Sequence, residues 1–218
     1  MTMTSTPTLL LRRVFGVLRI AGGLLLLAAI VTQVVDESVH RIFIPGQYFV
    51  YFTNQTGMMN VLVLLVGGVI AVRALPDTRL LTNIRVAIFS YEIVTALVYN
   101  GLLRGLHTPG YQGIHWPTEV LHVAIPVFVV IDWIVTPGAV RVRWRALWFA
   151  AIYPTAWILF TMTRGLVTGW YPYPFLDPSA GGGCASAIGY IVGIAVLILG
   201  LAAIGILISR RRTRAAAS

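Results

Sequence analysis

Six stretches of the chain are almost continuously apolar, and short polar segments separate them. They run over about residues 14–35, 48–72, 83–103, 118–135, 144–162 and 187–209. Each is close to the ~20 residues a helix needs to cross ~30 Å of hydrocarbon. The pattern predicts an all-α, integral membrane six-helix bundle forming one transmembrane domain over residues 1–218. The second stretch opens with the sequence YFTNQTGMMN, Tyr51 to Asn60, which carries Thr53, Asn54, Gln55, Thr56 and Asn60 before an uninterrupted apolar run. Polar groups in hydrocarbon cost free energy unless they are partnered, so this crowding needs a cause.

Charge fixes the expected orientation. Arg12, Arg13 and Arg19 precede or open the first span. Arg73, Arg79 and Arg85 surround the second–third connection, and Arg141, Arg143 and Arg145 lie between the fourth and fifth spans. Arg210, Arg211, Arg212 and Arg214 follow the sixth. That places thirteen arginines on one side and three, Arg41, Arg104 and Arg164, on the other. The positive-inside rule then puts both termini in the cytoplasm. A secretory or twin-arginine leader is the competing reading of the first span. No small-residue cleavage site follows it, and its loss would break the charge alternation, so the span is expected to be retained.

Composition agrees with this picture. The 218 residues are 58% hydrophobic and 11% charged, with a mean hydropathy of +0.85, where a soluble domain carries about a quarter charged residues. The net charge of +9 is accounted for by topology, so no nucleic-acid partner is expected. All the basic residues are arginine, a bias associated with GC-rich bacterial genomes. A multi-pass protein of a bacterial inner membrane is therefore expected. Cys184 is the single cysteine, which excludes an intrachain disulfide. No metal or cofactor is called for.

Orientation gives every polar residue a depth. The second and fourth spans both enter from the outer side, so Thr53 and His122 should agree in depth to about one turn, ~5.4 Å. The third span runs the other way and brings Tyr99 and Asn100 to the same level. Thr53, Thr56, Gly57 and Asn60 share one helical face. Thr56 and Asn60 read as interhelical or backbone hydrogen-bonding groups. Glu92 falls mid-span on a face with Thr95 and Tyr99, and an ionisable residue at such a depth is a functional candidate by default. Asp132 is expected to pair with Arg85 or Arg141. It cannot orient His122, because ten helical residues separate them by ~15 Å. Glu119, three residues before His122, reaches the same neighbourhood. Pro126 removes the backbone bond to the His122 carbonyl and predicts a local kink. Trp170, Tyr171, Tyr173 and Phe175 suit a headgroup-level aromatic belt; lying on the side of Thr53 and His122, the same loop has a second reading as the cap of a lipid-facing pocket. Gly189, Gly193, Gly200 and Gly205 permit close helix packing, read here as packing within the bundle, with a homo-oligomer as the alternative.

YFT at the start of a span, HVAIP plus DW in a later one, and WYPYPFLD before the last together resemble the androgen-induced-gene family of six-span membrane proteins, in its bacterial branch. The resemblance covers nearly the whole chain, in order and spacing. Animal members are threonine hydrolases that cleave fatty acid esters of hydroxy fatty acids with a Thr nucleophile and a His. The Thr matches Thr53 and the His matches His122, while the segment after Thr53 is more polar than the animal pattern. The resemblance implies a membrane-embedded hydrolase of a lipid-like fatty acyl ester, with a membrane lipid as its partner. A threonine hydroxyl needs an adjacent base, and an imidazole titrates in the right range. Asn54, Asn60, Tyr99 and Asn100 are candidate oxyanion donors; Thr56, Glu92 and Glu119 complete the candidate pocket. The alternative is a non-catalytic protein that binds or transports a lipid or small solute, which mid-span Glu92 favours.

Overall fold

The computed structural model describes residues 6–106, 111, 113–136 and 140–215. The side chains of Arg212 and Arg214, assigned above to the charged tail, lie outside the described part. The chain is helical, with no strand among the described residues. The helices are α1 (Thr6–Val39), the one-turn α2 (Pro45–Tyr48), α3 (Phe52–Val72), α4 (Arg79–Val98), α5 (His115–Glu119), α6 (Ile125–Val135), α7 (Ala146–Thr168) and α8 (Gly183–Ala215). A π-helical turn, Tyr99–Leu103, extends α4, and a second, Val120–Ala124, joins α5 to α6. Six of the resulting helices are long and apolar enough to cross a membrane.

Where these helices begin follows from local chemistry. Helix α4 starts four residues before the apolar stretch because the Thr78 hydroxyl accepts from the Leu81 N–H at 3.1 Å and caps it. Helix α3 starts at Phe52 rather than residue 48 because Pro45–Tyr48 forms its own turn and the chain breaks between the two. Helix α7 runs on to Thr168 and stops at Gly169, which takes the left-handed conformation (φ 69°) that glycine adopts without steric cost.

Helix α4 is the axis of the bundle and packs against α3, α6, α7 and α8. Half of its most apolar window is buried, against 17% for α7, which turns most of its surface outward. Helices α1 and α3 approach each other closely. A Cβ at Gly16 would lie 2.8 Å from the Val72 nitrogen, and one at Gly68 would lie 2.8 Å from the Gly16 carbonyl. The small residues of α8 behave differently from expectation. A Cβ at Gly189, Gly193 or Gly200 would meet nothing within 4 Å, and only Gly205 packs inward, against Phe89. The close intramolecular crossing expected of the α8 glycines is made by α1 and α3.

The four arginine-rich segments meet at one end of the bundle. Arg12 reaches the Leu75 carbonyl and pairs with Asp77, and Arg85 also approaches Asp77. Ser209 donates to the Val140 carbonyl, and Arg210 lies over Trp144. At the opposite end, Tyr111 and the Ile114 N–H both donate to Asp36.

Candidate functional site

The polar head of α3 divides into groups with different tasks. The break between α2 and α3 frees three carbonyls, and side chains satisfy all of them. Asn54 donates to the Tyr48 carbonyl at 2.8 Å, Gln55 to that of Phe49 at 2.6 Å, and the Trp157 indole to that of Val50 at 2.8 Å. Gln55 in turn accepts from Tyr153 at 2.6 Å. Thr56 is fully buried and bonds back to the Thr53 carbonyl at 3.2 Å. Asn54, Gln55 and Thr56 therefore hold the entry of the chain into α3.

Thr53 is placed differently. It lines a cavity of about 150 Å³ enclosed by α3, α4, α7, α8 and the short 3₁₀ turn Pro174–Leu176. The walls are mainly aliphatic, with Val94, Ile158, Ile194 and Ile198 among them, and the polar lining groups include Thr53, Thr95, Tyr99 and Tyr173. Tyr173 belongs to the loop read either as an interfacial belt or as the cap of a pocket, and it lines the cavity. It is buried, with its phenol against the Thr53 side chain and the backbone of Phe52 and Thr53. Burial pushes the phenol up to about 12 even though those contacts pull the other way, so it stays a protonated donor beside the Thr53 hydroxyl.

His122 sits on the π-helical turn and is buried. Its environment follows from Pro126, which has no N–H to give the His122 carbonyl. The Asn100 amide takes that place at 3.1 Å and also donates to the Ala96 carbonyl at 2.8 Å. With Arg104 donating to its oxygen at 2.7 Å, Asn100 is committed to structure in this conformation. The same device recurs in α7. Pro154 frees the Ala150 carbonyl, and the Tyr91 hydroxyl donates to it at 2.8 Å. Both proline defects are thus sealed from α4 and its π-helical extension.

The His122 Nδ1 lies 2.8 Å from the Thr118 carbonyl. A carbonyl can only accept, so Nδ1 carries the hydrogen and Nε2 is the basic nitrogen of the neutral ring. Tyr99 stacks on the imidazole with ring centroids 3.8 Å apart, and it also lines the cavity that Thr53 lines. Among the described residues no hydrogen bond joins Thr53 to His122. One aromatic ring stands between the histidine and the cavity. Glu119 is exposed and pairs with Arg104 at 2.8 Å, so its charge is directed to that arginine.

Deeper in the bundle, Asn60, Glu92 and Thr95 form a second polar group, with exposures of 0%, 3% and 5%. The Asn60 amide faces the Glu92 carboxyl without closing a hydrogen bond of normal geometry. Both polar atoms of Asn60, one Glu92 oxygen and the Thr95 hydroxyl have no hydrogen-bond partner. Thr95 also lines the cavity and connects this group to Thr53.

Asp132 is fully engaged. It accepts from Arg19 Nε at 3.0 and 3.1 Å, from Arg85 at 2.8 Å and from Thr136 at 2.6 Å. The expected partner Arg85 is present. Arg19 is a partner that sequence reasoning missed: counted above among the topological charges, it is buried inside the bundle, 2% exposed, and also donates to the Gly67 carbonyl. The signal was its position, since Arg19 stands inside the apolar stretch rather than before it.

Set against family models, curated proteins and solved structures, the chain matches none of them.

Proposed function

We propose that this protein is a membrane-embedded hydrolase of a lipid-like ester, with Thr53 as nucleophile and His122 as base. The observation that supports it most is the cavity: the Thr53 hydroxyl stands in the wall of a mainly apolar chamber, beside the Tyr173 phenol. An apolar cavity of about 150 Å³ holds a benzene-sized fragment, so it accepts a segment of an acyl chain while the rest stays in lipid. Attack of Thr53 Oγ1 on the ester carbonyl sends its proton to His122 Nε2. The same proton then leaves with the departing alcohol, giving an acyl-Thr53 ester. Water, deprotonated by Nε2, releases the fatty acid and restores the hydroxyl. Tyr173, a protonated donor beside Thr53, suits the developing oxyanion. Tyr99 is the gate, because its ring must turn before Nε2 meets the Thr53 proton.

The motifs shared with the androgen-induced-gene family support the same pair of residues, and the bacterial branch of that family is the proposed kinship. The gathering of arginines at one end of the bundle favours both termini in the cytoplasm of a bacterial inner membrane. Purified protein in detergent is expected to hydrolyse a long-chain p-nitrophenyl ester. Thr53→Ala and His122→Ala each abolish turnover, and Thr56→Ala, whose hydroxyl bonds its own helix, retains most of it. Wild-type turnover in Thr53→Ala would refute the proposal.

One observation favours a second reading. The unpartnered Glu92, Asn60 and Thr95 atoms suit a path for a proton or a small solute. Solute uptake into vesicles that is lost in Glu92→Gln and untouched in Thr53→Ala would establish that reading in place of the hydrolase.

A further inference from the structure

A second cavity, of about 690 Å³, opens at the arginine-rich end. Arg79, Arg141, Arg143, Arg145 and Arg210 line it with Trp144, and no acidic residue lines it among the described residues. Local structure aims these cations. Val142 and Ala146 are buried, while Arg141, Arg143 and Arg145 beside them are exposed, which leaves the guanidinium-bearing positions on the open side of the segment. The cavity also lies at the N-terminal ends of α4 and α7, toward which the positive ends of the two helix dipoles point. The acids of this end are already taken: Asp77 pairs with Arg12 and Arg85, and Asp132 with Arg19 and Arg85. Among the described residues, no ion pair engages Arg79, Arg141, Arg143 or Arg145.

We infer that this cavity binds a phosphate-bearing anion, and that its source is the headgroup of an anionic phospholipid. Arginine suits phosphate because its planar fork donates two parallel hydrogen bonds to the oxygens. Trp144, which lines the cavity, is 46% exposed, the placement of an aromatic side chain at headgroup level. A lipid phosphate is delivered there by the bilayer, whereas a soluble phosphate must arrive from water.

The test is native mass spectrometry of the full chain released from detergent with phosphatidylglycerol, cardiolipin or phosphatidylcholine, and with inorganic phosphate as competitor. Wild-type protein is expected to retain the two anionic lipids and release phosphatidylcholine. The triple variant Arg141→Gln, Arg143→Gln, Arg145→Gln is expected to bind them about a hundredfold more weakly, near fivefold per arginine. The charge-matched variant Arg13→Gln, Arg73→Gln, Arg211→Gln alters exposed arginines outside the cavity and is expected to bind as wild type. Equal loss in both variants, or no loss in the first, would overturn the site. Binding of inorganic phosphate with no preference for lipid would overturn the headgroup assignment.

Discussion

The bundle buries two groups of ionisable and polar side chains at membrane depth, and they are treated oppositely. Around Asp132, each carboxylate oxygen has donors, two arginines neutralise the charge, and Trp133 lies under the Arg85 guanidinium at 5.2 Å. Among the described residues there, only Arg19 Nη2 lacks a partner. Around Glu92, four buried atoms have no partner, and no cation stands close enough to form an ion pair among the described residues. Depth alone does not separate the two groups. Whether the ionisable side chain is partnered does. Asp132 ties α1, α4 and α6 together, while the Glu92 group borders a cavity and remains available.

Stability measurements test that division, the largest effect first. Asp132→Asn leaves Arg19 buried without a counter-charge and Arg85 with Asp77 alone, at 3.9 Å, and breaking a buried pair in this way costs about 3–5 kcal/mol. Thermal unfolding in detergent is expected to show a collapse of folded yield, and a near-native melt would erase the contrast between the two groups. Asn100→Ala and Tyr91→Phe come next. Each leaves a proline-freed carbonyl, of His122 or Ala150, without its donor, at about 1–3 kcal/mol. Equal losses would show that both proline defects are sealed in the same way; no loss in either would show that water serves as well. Glu92→Gln is smallest, within about 1 kcal/mol, because no partner is broken and the amide keeps the shape. A loss as large as that of Asp132→Asn would mean that Glu92 is structural after all.

The six spans were legible because each apolar run is long and the connections alternate in charge. Their ends were less so, since the Thr78 cap and the Pro45–Tyr48 turn depend on backbone geometry that hydropathy does not carry. Pro126 announced a defect at the His122 carbonyl, but that Asn100 would repair it required the registry of two helices. Arg19 was read as an anchor because arginines near a first span usually are. Inside the bundle, only its depth and an unclaimed acid on another helix gave it away. In the polar head of α3, Asn54 was read as a candidate oxyanion donor. It instead closes the turn before the helix together with Gln55, leaving Thr53 as the hydroxyl from that stretch which lines the cavity. The choice between belt and pocket cap for Tyr173 was not legible, because its burial depends on the fold of a proline-rich connection.

The claim that Thr53 is a nucleophile facing an acyl chamber is tested most directly by covalent capture. Protein in detergent is treated with a long-alkyl fluorophosphonate, and the modified residue is located by peptide mass spectrometry. The expected result is a single adduct on Thr53, slowed at least a hundredfold in His122→Ala and prevented by saturating ester, since a positioned base contributes about 10²–10⁴ in rate. An adduct on Thr95 or Thr155 in the same cavity, or no adduct at all, would contradict the assignment of Thr53.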